Sequence, residues 1–166
     1  MNLAGLLSRS ALTYPNYTAV SIGEKALLTY AQLRENAARL GNGLQNIMKL
    51  NPGDRIALIM KNSPEVIEII FGAWQAGLCV VPINSKLHPR EFGFILENSG
   101  AKACFFTKEL SEAVSDARSD TAGLEHLIET SSDEYFSLKN SNEIAENEAK
   151  PTDLAWLFYT SGTTGR

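Results

Sequence analysis

The side chains best suited to chemistry stand together in Tyr159-Thr160-Ser161-Gly162-Thr163-Thr164-Gly165-Arg166, where four aliphatic hydroxyls are interleaved with two glycines. Glycines let the backbone take positive φ and come close to a ligand. The N–H groups freed in this way, with the hydroxyls of Thr160, Ser161, Thr163 and Thr164, can wrap phosphate oxygens as a nest of donors. A polyphosphate, with its charge spread over many acceptors, suits such a loop. The pattern G-x-x-x-x-G-K-[ST] does not fit, because Gly162 and Gly165 have the wrong spacing and no lysine follows. Gly162-Thr163-Thr164-Gly165 matches a GxxG literally, but the RNA-clamping module that uses it sets the loop between helices in a basic surface. A polar tail with no ligand is the remaining reading of the loop taken alone.

A phosphate loop must be held by regular elements, and the preceding residues supply one. Leu154-Ala155-Trp156-Leu157-Phe158 reads as a central strand, apolar on both faces. Upstream, 2–14 carry Leu3, Leu6, Leu7 and Ala11 at helical spacing, and 17–22 with 26–29 read as a hairpin across Gly23-Glu24-Lys25. Thr29-x-x-Gln32 has the form of a capping box, so a helix starts at Tyr30 with Leu33, Ala37, Leu40, Leu44 and Ile47 as its core stripe. Strands are then predicted over 56–60, 79–83, 102–106 and 124–128. Helices alternate with them: one capped by Ser63 with Pro64 in its first turn, one opened by Pro89 and closed by Gly100, and a polar one capped by Thr107. His88 reads as a cap or loop residue. Short apolar strands alternating with amphipathic helices predict an α/β, doubly wound, mostly parallel sheet with flanking helices. Residues 129–150, rich in Ser, Asn and Glu, read as a polar connection with one loose helix.

Composition narrows the class of protein. The chain has 166 residues, 15 basic against 19 acidic, and a net charge of −4 without a basic run. That balance gives no electrostatic footprint for nucleic acid or an anionic membrane. The most apolar stretch, 69–83, is interrupted by Gln75, Gly77 and Pro82 and falls short of a membrane span, so no integral membrane segment is expected. Cys79 and Cys104 lie in apolar runs without a CxxC partner, as buried free thiols of a cytoplasmic protein do.

The segment 157–165, Leu-Phe-Tyr-Thr-Ser-Gly-Thr-Thr-Gly, resembles the signature loop of the AMP-forming adenylating superfamily, which includes acyl- and aryl-CoA ligases, peptide-synthetase adenylation domains and luciferases. Leu28-Thr29-Tyr30-Ala31-Gln32-Leu33 is similar to that family's L-[TS]-Y-x-[EQ]-L motif. Trp74-Gln75-Ala76-Gly77-Leu78-Cys79-Val80-Val81-Pro82-Ile83-Asn84 is similar to its K-A-G-x-x-x-V-P-[IL]-[ND] motif. Asn84 stands where peptide-synthetase domains usually carry Asp. The three motifs occur in order, so the resemblance covers the chain from about Leu28.

The resemblance implies that residues 1–166 are an incomplete N-terminal adenylating domain, the first part of the large domain of acyl-CoA synthetases, with Pro-Lys-Gly expected after Arg166. The reaction implied is formation of an acyl-adenylate and pyrophosphate from a carboxylate and ATP, followed by thioester formation with coenzyme A. A fatty acid is the default substrate, with aryl acids, a peptide-synthetase-like activity or a non-catalytic binding module as alternatives. Thr160, Ser161, Gly162, Thr163, Thr164 and Gly165 are implied as the ATP-phosphate contacts. The Mg²⁺ and coenzyme A sites, and every catalytic group, are implied to lie in later sequence, so these 166 residues alone are expected to be inactive. An apolar strand left at a sheet edge also predicts that the isolated chain forms a homo-oligomer.

Overall fold

Arg55-Ile56-Ala57-Leu58-Ile59 makes the central strand of a parallel sheet because every second residue must be apolar on each of two covered faces. In the computed structural model, which describes residues 1–118 and 121–160, a helix α1 (Ala4–Thr13) precedes the antiparallel hairpin β1 (Thr18–Ile22) and β2 (Lys25–Thr29). Then follow α2 (Tyr30–Asn42), β3 (Arg55–Ile59), α3 (Pro64–Gln75), β4 (Cys79–Ile83), α4 (Pro89–Ser99), β5 (Ala101–Phe106), α5 (Ser111–Arg118), β6 (His126–Glu129) and α6 (Asp133–Leu138). The strand order is β4-β3-β5-β6, all parallel, with Ile56 opposite Val80 and Ala57 opposite Cys104. The predicted doubly wound α/β sheet is what forms.

Alternation splits the core into two. Ile56, Leu58, Val80, Ala103 and Phe105 face α2, α3 and α6 on one side. Ala57, Ile59, Val81, Cys104 and Phe106 face α4 and α5 on the other. Helices α2 and α3 approach closely because Gly41 and Gly72 lie where they cross: a Cβ on Gly41 would stand 2.9 Å from the Gly72 carbonyl oxygen. At the end of α3, Gly77 takes φ +75°, which lets the chain reverse into β4.

Several local predictions need correction. The α2 stripe does not continue through Ile47, which is 53% exposed, because the helix ends in a π turn over Gly43–Ile47. The Met48 N–H reaches back five residues to the Gly43 carbonyl, and the extra residue turns Met48 inward in place of Ile47. Ser63 holds an extended N-cap backbone before Pro64, yet its hydroxyl accepts no N–H of α3 and is buried without a partner. Thr107 caps nothing with its side chain either. Its Oγ1 accepts the Lys61 N–H at 3.3 Å and ties the end of β5 to the end of β3. The Thr29–Gln32 capping box forms as predicted.

The helix inside the polar stretch is not loose. Tyr135 and Leu138, three apart on α6, are fully buried, and the Tyr135 hydroxyl donates to Glu68 on α3 at 3.1 Å. Glu68, itself buried, also accepts from Asn36 of α2 at 2.7 Å and from Lys139 at 2.8 Å. One carboxylate thus joins three elements with charge-assisted bonds. Past α6 the chain stays tethered: the Asn147 N–H donates to the Gln75 carbonyl at 2.9 Å, and Gln75 Nε2 to the Ile144 carbonyl at 2.8 Å.

The strand predicted over 154–158 is reduced to a single parallel bridge between Val80 and Trp156. The Val80 N–H donates to the Ala155 carbonyl at 3.0 Å, and the Leu157 N–H donates to the Val80 carbonyl at 2.9 Å. The next donor on that side of β4 would be residue 82, which is proline and has no N–H. The ladder stops there.

Burial in this core makes a prediction about pH. Desolvation pushes the Cys104 thiol from 9.0 up to about 12, and raises Cys79 too, with nearby Arg55 opposing. Tyr135 is raised by burial and then by Glu68. Below about pH 7.5 these groups are protonated in both folded and unfolded chains. Above it the unfolded chain loses protons that the folded core retains, so stability falls as pH rises through about 9 to 12. Denaturant titrations across that window should show a decline that is shallower in Cys104→Ala. Both thiols should resist alkylation until the chain unfolds.

Candidate functional site

In an open parallel sheet, ligands gather outside the carboxyl ends of the strands. At that end of this molecule lie Lys61 to Ser63 after β3, Asn84 to His88 after β4, Thr107 after β5 and Thr130 after β6. Residues 154–160 run parallel to β4 along its free side, so Thr160 emerges at the same end. Thr160 is exposed. Ser161, Gly162, Thr163, Thr164 and Gly165, the other predicted phosphate contacts, lie outside the described residues.

What the structure places in full is the mount of that loop. With only two backbone bonds to β4, residues 154–160 are held mainly by side chains from the helices on either face. On the α3 face, Trp74 Nε1 donates to the Ala155 carbonyl at 3.0 Å. Its ring meets Trp156 edge-on, centroids 4.8 Å apart, and Trp156 stacks on Phe158 at 5.3 Å. On the α4 face, Leu157 and Tyr159 pack against the second core, and the Tyr159 hydroxyl donates to Asn98 Oδ1 at 2.6 Å. Burial raises the Tyr159 phenol, which therefore stays protonated and able to donate at neutral pH.

The other rim residues are occupied with local structure. Asn84 Oδ1 accepts the Lys86 N–H at 3.0 Å, an Asx turn that carries the chain out of β4. His88 caps α4: its Nδ1 accepts the Arg90 N–H at 3.3 Å while Glu91 accepts the His88 N–H at 2.9 Å. Among the described residues no group of three His, Cys, Asp or Glu side chains is placed to hold a metal ion. Sequence reasoning missed the two helix anchors, Trp74 and Asn98. Trp74 carried a signal, a large aromatic on the buried face of α3; Asn98, one polar residue among several on an exposed helix face, carried none.

The family described as AMP-binding enzyme matches residues 7–166, nearly the whole chain. This chain belongs to it. Feruloyl-CoA synthase of an Amycolatopsis species is 37% identical over 158 residues, which cover 95% of this chain and 30% of that protein. N-(5-amino-5-carboxypentanoyl)-L-cysteinyl-D-valine synthase of Amycolatopsis lactamdurans is 32% identical over 169 residues, 99% of this chain but 4% of that protein. The inhibitor-bound N-terminal domain of FACL13 from Mycobacterium tuberculosis superposes with a TM-score of 0.87 at 29% identity, covering 99% of this chain and 42% of that one. The chain therefore spans under a third of the length of these curated relatives, and it has the fold that opens the large domain of AMP-binding acyl-CoA ligases.

The two-sided mount predicts a graded response to mutation. Trp74→Phe keeps an aromatic edge against Trp156 but removes the indole N–H. A loss of about 1 kcal/mol from that bond, plus a contribution from lost ring volume, should appear in denaturant unfolding. Quenching of Trp156 fluorescence by acrylamide should rise at the same time, because the variant loosens the segment before it unfolds the core.

Proposed function

We propose that this chain is the opening part of an ATP-dependent, AMP-forming acid–thiol ligase that makes acyl-coenzyme A. Membership of the AMP-binding enzyme family over residues 7–166 carries the reading. The exit of Thr160 at the carboxyl end of the sheet supports it, because a polyphosphate would meet the loop there. In this proposal a carboxylate attacks the α-phosphorus of ATP, pyrophosphate leaves, and the thiol of coenzyme A then displaces AMP from the acyl-adenylate. The task of this chain is positional: Thr160 to Gly165 hold the outgoing phosphates with hydroxyls and backbone N–H groups, so that charge is stabilised as it develops. Thr163 and Thr164 are the main side-chain contacts in this reading. Mg²⁺ would add countercharge on the phosphates.

The acid is a fatty or an aryl acid. The likeness to feruloyl-CoA synthase supports an aryl acid, and that to a Mycobacterium tuberculosis fatty acyl CoA synthetase, 28% identical with a TM-score of 0.86, leaves a fatty acid in play. Asn84, where peptide synthetases usually carry Asp, supports coenzyme A over a peptide carrier as the acceptor. The buried free thiols fit a cytoplasmic setting.

Pyrophosphate exchange by the full-length protein across a panel of fatty and aryl acids tests this reading. The expected result is acid-dependent incorporation of label into ATP, with AMP and pyrophosphate as products. ADP and phosphate would refute it.

The isolated 166 residues are a separate case. Only Ala155 and Leu157 of the last segment pair with β4, and Leu154 and Phe158 are exposed. An unpaired apolar edge is a template for a second copy. Light scattering on this chain should report a dimer or larger species, and a monomer at every concentration would show that the edge is satisfied within the chain.

A further inference from the structure

Past Leu157 no backbone bond joins residues 158–160 to β4, where Pro82 lacks the next N–H, yet the loop they lead into has to start from a fixed point. We propose that Tyr159 and Asn98 are a positioning pair that sets the entry to the phosphate-binding loop; this rests on the ligase reading above. Among the described residues, the last backbone bond to the sheet is made by Leu157. Two residues on, Tyr159 returns to the same face, packs its ring against the core beneath α4 and donates its hydroxyl to Asn98 Oδ1 at 2.6 Å. It is the last side-chain tie before Thr160.

The partner is well chosen for this role. Asn98 lies in the last turn of α4, a helix held at its start by the His88–Glu91 capping box and at its end by Gly100 in the left-handed region, φ +61°. Its backbone is therefore set relative to β4 by the packing of α4. The phenol is half-buried and keeps its proton at neutral pH, so the bond has a single donor and a single acceptor. Neither side chain touches a reacting atom. They act through the backbone of Thr160, which is why their effect should fall on ATP and not on the acid.

Steady-state pyrophosphate exchange by the full-length protein provides the test. Tyr159→Phe and Asn98→Leu should each raise the KM for ATP about fivefold, the size expected of one lost neutral hydrogen bond. The double variant should be no worse than either single variant, and the KM for the acid and the melting temperature should stay at the wild-type values. An unchanged KM for ATP in both single variants, or effects that multiply in the double variant, would overturn the proposal. Should the wild-type protein catalyse no exchange with any acid, the ligase reading fails and not the pair. The backbone order parameter of Thr160 from NMR relaxation then decides: a lower value in both variants supports the positioning role, and a value equal to wild type refutes it.

Discussion

Everything in this molecule depends on a parallel sheet that must be covered on both faces. Parallel strands are joined by crossovers, the crossovers bring helices to each side, and no face is left for water. That is why β3 past Arg55 reads Ile56-Ala57-Leu58-Ile59 without a polar residue, and why Phe105 and Phe106 can be neighbours in sequence yet belong to different cores. Once the strands point one way, their carboxyl ends share a rim, and the loops on that rim are free of the packing that fixes the helices. The exit of residues 154–160 at that rim is placed by this constraint before any side chain in the segment is considered.

Pro82 shows how one residue can reshape that rim. Within β4 its ring fills an ordinary strand position opposite Leu58, since its missing N–H points away from β3. On the free side the same missing donor ends the pairing after Val80. A segment that would have been a rigid strand becomes one bridge flanked by side-chain anchors: Trp74 from one helix layer, Asn98 from the other. Two backbone bonds and two anchors hold less tightly than a full ladder. The position of residues 158–160 is set by side chains from both faces of the sheet instead of by the ladder.

Legibility from sequence followed the range of the interactions. Caps and breaks act within four residues, so the Thr29–Gln32 box, Pro64, Pro89 and Gly100 marked helix ends that the structure keeps. Strands defined by continuous apolar runs, such as Cys79–Ile83, were equally plain. The failures are of another kind. Ile47 fits the helical stripe perfectly well until a π turn shifts the register by one residue, and nothing local announces that turn. Ser63 and Thr107 have the type and place of caps; the hydroxyl of Thr107 is instead taken by an N–H from the neighbouring strand. The 154–158 prediction failed because its cause, Pro82, lies in a different strand about seventy residues earlier. For the site, the glycines and hydroxyls of 160–165 carry the expectation of a phosphate loop, whereas the mount of the segment leading into it was not readable, since Trp74 and Asn98 join it only through the fold.

Glu68 carries the same lesson into energetics. On α3 it interrupts Val66-Ile67 and Ile69-Ile70. In the structure it is 4% exposed and bonded to Asn36, Tyr135 and Lys139. A carboxylate buried alone would cost several kcal/mol, so those three donors are a condition of its being there. They come from α2, from α6 and from the residue that follows α6. The polar stretch 129–150 is therefore tied to the same helix, α3, that lends Trp74 to the loop entry. With Asn36, Trp74 and Tyr135 all bonded to or borne on this one helix, its position fixes the first helix layer and one side of the phosphate-loop mount together. A change that loosened α3 would reach the loop through Trp74, without touching any residue on the rim.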